Sequence, residues 1–129
     1  MTEWIEKIKD NNIFKQAYPA DIHVIQEAEK KLAVKFSADY VAFLQNVGAS
    51  ICFGHEISGL TDSHTLNVIK LTQEQKLRNP NVPSAWYAIE ETHMDGIIIW
   101  QDQNSFIYQS SPSFTPQKIA DSLEQWINM

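Results

Sequence analysis

The spacing of apolar residues predicts helices in the first third of the chain. A short amphipathic helix begins at Trp4, and we expect it to end near Asn11-Asn12, where two poor helix formers meet. Asp21 is a suitable N-cap for a second helix. The predicted buried face of that helix is formed by Ile22, Ile25, Ala28 and Leu32.

A third helix is predicted between two residues that favour helix ends. Ser37 is a suitable N-cap, and Asp39 falls in the first turn, where the helix dipole favours an acid. Gly48 suits a left-handed C-terminal cap. The predicted buried positions are Tyr40, Phe43, Leu44 and Val47.

After Gly48 the pattern changes from helical spacing to short apolar runs. Residues 50–54 predict a buried strand, and we expect the histidine that follows, His55, to lie in a loop. Residues 85–91, 97–101 and 105–109 predict a three-stranded meander. Its turns are expected at Asp95-Gly96 and at 102–104. Because the run 97–100 is apolar on both faces, the middle strand should be covered on both sides.

The remaining segments complete an α+β pattern. We predict a short helix at 72–77 and a last helix that starts at Thr115-Pro116, with proline at the first helical position. The buried stripe of this last helix would contain Ile119, Leu123, Trp126 and Ile127. The whole chain, 1–129, is therefore predicted to be one α+β domain in which N-terminal helices precede a mostly antiparallel sheet and a C-terminal helix packs on that sheet.

Charge narrows the choice of partners. The formal net charge is −6, which argues against nucleic-acid binding because phosphates are bound through Lys and Arg. No apolar run is long enough to cross a membrane, so we expect a cytoplasmic protein. Residues 80–129 contain one lysine and six acids. This surface either steers a basic protein partner or is a solvated face that only aids solubility.

The acids near the predicted sheet are the candidate partner-binding residues, together with an aromatic residue that would supply affinity. These candidates are Glu90, Glu91, Asp95, Asp102, Trp86 and Glu56. Glu90 and Glu91 are adjacent on a strand and should face opposite sides, so they cannot form the carboxylate pair of a glycosidase. No catalytic residue is therefore assigned.

The residues give little support for a metal site, a reactive thiol or a hydrolase. His55, Glu56, Asp62 and His64 lie within ten residues, but their spacing fits no established zinc pattern. Cys52 lies between apolar neighbours and is expected to be a buried, unreactive thiol. We predict no metal and no cofactor. A small hydrolase that uses Glu56 and Asp62 is kept as the least favoured alternative.

Three segments resemble the SUKH superfamily, which is named after the yeast Smi and Knr cell-wall assembly regulators. Residues 25–44 are similar to a helix followed by the family's P-x-D-Y-x-x-F-L helix, although Ser37 replaces the usual proline. Residues 53–60 are similar to its G-x-E-I-x-G-L segment, and residues 119–127 to its closing S-F-E-E-W-L helix. Near Gly48 the family usually has two glycines, whereas this chain has one.

The resemblance implies an α+β domain without catalysis. Many bacterial members look like immunity proteins that neutralise a cognate polymorphic toxin, often a nuclease. We therefore expect a non-enzymatic protein that binds a basic toxin domain by occlusion. The alternative implied by the resemblance is a regulatory protein-interaction module of the cell-wall assembly type.

Overall fold

The computed structural model describes residues 3–14 and 18–129. Within these residues the chain forms an α+β fold, as predicted, with five helices and antiparallel strands. The helices are α1 (Glu3–Asn11), α2 (Ile22–Leu32), α3 (Ala38–Asn46), α4 (Val68–Arg78) and α5 (Leu123–Ile127). The strands are β1 (Ser50–Cys52), β2 (His55–Ile57), β3 (Tyr87–Glu91), β4 (Ile98–Gln101), β5 (Ile107–Ser111) and β6 (Phe114–Ala120).

The predicted capping residues begin α2 and α3. Asp21 Oδ1 accepts hydrogen bonds from two backbone N–H groups in the first turn of α2, at 2.9 and 3.1 Å. Ser37 Oγ accepts the N–H of Tyr40 at 3.3 Å. These bonds satisfy N–H groups that have no acceptor inside the helix. One predicted core position is wrong, because Ile22 is 41% exposed at the start of α2.

Two glycines allow the backbone after α3 to cross the segment after β2. Gly48 has φ +93°, the left-handed conformation predicted for the residue that closes α3. A Cβ atom on Gly59 would lie 1.1 Å from the carbonyl oxygen of Gly48. Glycine is therefore required at position 59 by the close approach of two backbone segments.

The predicted strand at 50–54 is part of a small hairpin. β1 pairs antiparallel with β2, and Phe53 and Gly54 form the turn with φ values of +54° and +79°. Positive φ at both central residues matches the twist of a two-residue hairpin. The expectation that His55 lies in a loop is wrong, because it pairs with Cys52 and is buried.

The main sheet has the strand order β3-β4-β5-β6, and all its pairings are antiparallel. The predicted meander is confirmed, with one additional strand. β4 is covered on both faces, as expected: Ile99 packs in the cluster that contains residues of α2, α3 and α5. Ile98 and Trp100 pack on the opposite face against Leu71 of α4.

The prediction of a helix from Thr115-Pro116 is wrong. These residues lie in β6, which pairs with β5 at one edge of the sheet. Proline fits either the first turn of a helix or an edge strand, because neither place needs its missing N–H. The last helix begins only at Leu123, where Ser122 Oγ accepts the N–H of Gln125 at 3.1 Å.

Helix α4 is longer than the predicted 72–77 because Asn67 caps it one turn earlier. Asn67 Oδ1 accepts the N–H of Lys70 at 3.0 Å. From the middle of α4, Thr72 Oγ1 accepts the backbone N–H of Ala88 at 2.9 Å. This bond ties α4 to the edge strand β3 of the sheet on which the helix packs.

Candidate partner-binding site

Glu90 lies inside the protein and not on its surface. Its side chain is in β3, just after a bulge, and the residue is only 4% exposed. Oε1 accepts the indole N–H of Trp126 at 2.8 Å and lies 3.2 Å from Nδ1 of His55. Oε2 accepts the backbone N–H of Glu56 at 3.0 Å. Glu90 is therefore not available to a partner, and its assignment as a surface acid is wrong.

Trp126 is half-buried rather than fully buried on the predicted stripe. Its ring lies against His55, with ring centroids 4.7 Å apart, and the indole N–H is bonded to Glu90. A polar atom with a buried partner explains why tryptophan suits this position. Leu123 and Ile127 of the same helix are buried, as predicted.

Cys52, His55 and Glu90 are the residue types of a nucleophilic triad, but the thiol is not activated. Cys52 is 3% exposed, and burial raises the pKa of its thiol. A raised pKa lowers the thiolate fraction, and the thiolate is the nucleophile. The prediction that Cys52 is a buried small side chain is confirmed.

A cleft of about 240 Å³ opens beside this buried cluster, between β2, α4 and the end of β3. Three carboxylates line it, those of Glu56, Glu74 and Glu91, together with the imidazoles of His64 and His93. Its lining contains neither lysine nor arginine. The cleft is consequently a concave surface with negative charge that suits a basic group.

The β3–β4 turn forms one rim of this cleft. His93 and Asp95 have φ values of +61° and +53°, and Gly96 has +70°, so the predicted Asp95-Gly96 turn is confirmed. His93 Nε2 lies 3.8 Å from Oε2 of Glu56, which connects the turn to β2. Met94, at 63% exposure, projects from the same turn.

The predicted partner-binding residues do not form one surface. Glu56 and Glu91 line the cleft, and Asp95 follows in the adjacent turn. Asp102 lies at the opposite end of β4, roughly 10 Å away along the strand by the rise per residue. Trp86 is at that far end too, and it is 9% exposed, so its assignment to an accessible surface is wrong.

At the end of the sheet where Asp102 and Trp86 lie, aromatic and acidic side chains contact each other. The rings of Trp86 and Tyr108 are stacked with centroids 3.9 Å apart. Tyr108 donates a 2.7 Å hydrogen bond to Oδ2 of Asp102. Burial and this carboxylate raise the pKa of Tyr108 to about 12. The three side chains therefore support the sheet end on which they lie.

The two acids of the hydrolase alternative are not brought to one cleft. Glu56 lines the cleft, whereas Asp62 is exposed, does not line it and accepts a 3.0 Å hydrogen bond from the hydroxyl of Tyr18. In residues 3–14 and 18–129, no group of three or more His, Cys, Asp or Glu side chains is arranged to hold a metal ion. None of the helices in the same residues has the length and apolarity that crossing a membrane requires.

Comparison with known proteins identifies the family. A family model described as SUKH_5, SMI1-KNR4 cell-wall, matches residues 1–129. The chain belongs to the SUKH_5 family. A search of curated proteins found no match. Among solved structures, a crystal structure of a protein from Pseudomonas syringae pv. tomato superimposes with a TM-score of 0.77 and 18% identity, over 99% of this chain and 96% of that chain. This likeness shows a shared fold.

In this SUKH_5 protein, the carboxylate of Asp39 in the first turn of α3 joins distant parts of the fold. Asp39 Oδ1 accepts hydrogen bonds from Ser37 Oγ, from Gln101 Nε2 at 3.0 Å and from Ser105 Oγ at 3.1 Å. Asp39 Oδ2 accepts the backbone N–H of Leu123 at 2.8 Å. One carboxylate thus connects α3, the end of β4 and the start of α5.

Sequence reasoning missed three of the five ionisable residues that line the cleft in this SUKH_5 protein. Glu74 lies within the predicted helix 72–77, but a single acid on a helix carries no signal of a shared site. His64 belongs to the set whose spacing fits no zinc pattern, and His93 follows the predicted strand 85–91; only the fold shows that both line one cleft. The cleft is built from three separate segments of chain, and no spacing along the sequence relates them.

Proposed function

We propose that this SUKH_5 protein is a cytoplasmic immunity-type protein, acting as one domain, that binds a basic toxin domain and neutralises it by occlusion. The observation that carries this proposal is the cleft lined by Glu56, Glu74 and Glu91, whose lining contains no basic side chain except histidine. Asp95 lies beside it in the β3–β4 turn. Family membership favours a protein-binding role and supports this interpretation.

A nuclease is the class of toxin that best fits an acidic cleft. Nucleases bind phosphates through lysine and arginine, so their active-site surface is positive. An acidic surface is attracted to the same groups and can cover them without any chemistry. The exposed Met94 at the rim adds an apolar contact next to the charged ones. The proposed role requires neither a cofactor nor a catalytic residue.

The second candidate function is a regulatory protein-interaction module. The description of the matched family as SMI1-KNR4 cell-wall favours it. The two functions differ in one observable outcome. An immunity protein protects cells that express the neighbouring toxin gene, whereas a regulatory module binds its partner without conferring protection.

The first prediction tests the cleft by charge reversal. Glu56→Lys with Glu91→Lys should slow association with the purified product of the neighbouring upstream gene at least about tenfold at low salt, because opposite charges accelerate encounter. Raising salt from about 50 to about 500 mM should slow the wild type much more than the variant, because salt screens exposed charges. Stopped-flow fluorescence measures both rates.

The matched control is Glu27→Lys with Glu124→Lys. These two acids are exposed, lie outside the cleft, and their reversal changes the net charge equally. If both double variants associate at the same rate, or if the cleft variant still protects cells fully, the cleft is a solvated surface and the proposal is wrong.

A further inference from the structure

Glu90 connects the last helix to the wall of the cleft. We infer that it is a positioning residue: the docking of α5 fixes the backbone of Glu56, and thereby the cleft, through the two oxygens of the Glu90 carboxylate. The inference rests on the proposed function only in treating the cleft as the binding site. The connection itself is a property of the free protein.

The two carboxylate oxygens serve different elements. Oε1 is bound by Trp126 of α5 at 2.8 Å and lies next to His55, while Oε2 is bound by the N–H of Glu56 in β2 at 3.0 Å. A buried carboxylate that accepts a hydrogen bond on each oxygen and lies against an imidazole has a single favourable orientation. Removing the donor on α5 therefore changes the orientation of the oxygen that holds β2.

The two elements on either side of Glu90 are short. β2 has three residues, and α5 has five, which is far too few for a helix to be stable without tertiary contacts. Ser58, directly after β2, donates to Ile89 O at 2.8 Å, so the segment is already held at its C-terminal end. Glu90 supplies the matching bond at Glu56, the residue whose side chain lines the cleft.

Hydrogen exchange of the Glu56 amide in the free protein tests this inference. Trp126→Phe keeps an aromatic ring but removes the N–H donor, and the Glu56 amide should exchange about tenfold faster relative to the core amides of β4. The control is Asp21→Ala, which removes the cap of α2 and lowers global stability without touching Glu90. In the control, the Glu56 amide should follow the core amides.

Glu90→Gln provides a second, conservative variant. Glu90→Gln should itself shift the NMR resonance of the Glu56 amide. Adding Trp126→Phe should change the resonance and exchange of that amide little further, because both substitutions break the same link between α5 and β2. Equal acceleration of Glu56 exchange in Trp126→Phe and Asp21→Ala, or fully additive effects of the two substitutions, would overturn the inference. Because the measurement uses no partner, its failure is distinguishable from failure of the charge-reversal experiment.

Discussion

At the scale of single residues, Glu90 has the most demanding environment in the sheet. It is a buried carboxylate, and such a group is tolerated only when hydrogen bonds replace its lost hydration. Its donors come from β2 and α5, and in the described residues no buried side-chain nitrogen or oxygen lacks a partner. The alternation of side chains along a strand correctly placed Glu90 and Glu91 on opposite faces, but it did not indicate which of the two is buried.

Glu90→Gln is predicted to lower the free energy of unfolding by about 2 to 3 kcal/mol, because an amide would direct its own donors toward groups that are themselves donors. Glu90→Lys should prevent folding, since it places an unpaired cation at a buried site. Urea unfolding followed by tryptophan fluorescence measures the change. Glu91→Gln, on the cleft side, should stay within about 0.5 kcal/mol; a similar loss in both variants would contradict the burial of Glu90.

At the scale of elements, the first three helices were predictable and the C-terminal strand was not. Asp21, Ser37 and Gly48 act within a few residues of their own positions, so local sequence specifies them. The segment Thr115-Pro116 satisfies the local rules of a helix start equally well. Pairing with β5 decides its structure, and that pairing depends on a partner strand which the segment itself does not encode.

Two aspartates at helix starts should contribute unequally to the free energy of unfolding. Asp39→Ala is predicted to cost about 3 kcal/mol, because it removes acceptors for groups on β4, on the turn after it and on α5. Asp21→Ala removes only a local cap and should cost about 1 kcal/mol. Thermal and urea unfolding of the two variants provides the comparison. Equal losses would mean that the long-range hydrogen bonds of Asp39 contribute no more to stability than one local cap.

At the scale of the whole molecule, the order of helical and strand patterns along the sequence predicted the fold class. It did not predict the binding cleft. Helical spacing, then a meander, then an apolar strand covered on both faces were enough to predict an α+β domain. The acidic surface was predicted as one region because its residues are close in sequence. A sheet separates residues at opposite ends of one strand, and this is why Asp95 and Asp102 lie apart.

Buried phenols make the whole fold sensitive to alkaline pH. Burial raises the pKa of Tyr40 and of Tyr87, and burial together with Asp102 raises that of Tyr108 to about 12. The folded state thus favours the protonated phenols. Their contribution to stability should be complete below a pH of about 10, the value for an unfolded tyrosine, and should be lost as the pH rises above it.

Urea unfolding at pH values of about 9 and about 11.5 measures this loss. Tyr108→Phe lacks one of these titrating phenols, so its stability should fall less between the two values than that of the wild type. A wild type whose stability is unchanged over this range would contradict the raised pKa values.

The bond between Asp39 and the N–H of Leu123 also has a consequence for the time course of synthesis. The two residues are 84 positions apart. At about 5 to 20 residues per second, a ribosome needs roughly 4 to 17 s to proceed from one to the other. During that interval α3 exists without its partner on α5, and Glu90, once it has been added, exists without Trp126 until the chain has grown by 36 more residues. Under the proposed function, a newly made copy therefore gains its finished binding surface only after Trp126 has left the ribosome, and protection begins with that delay.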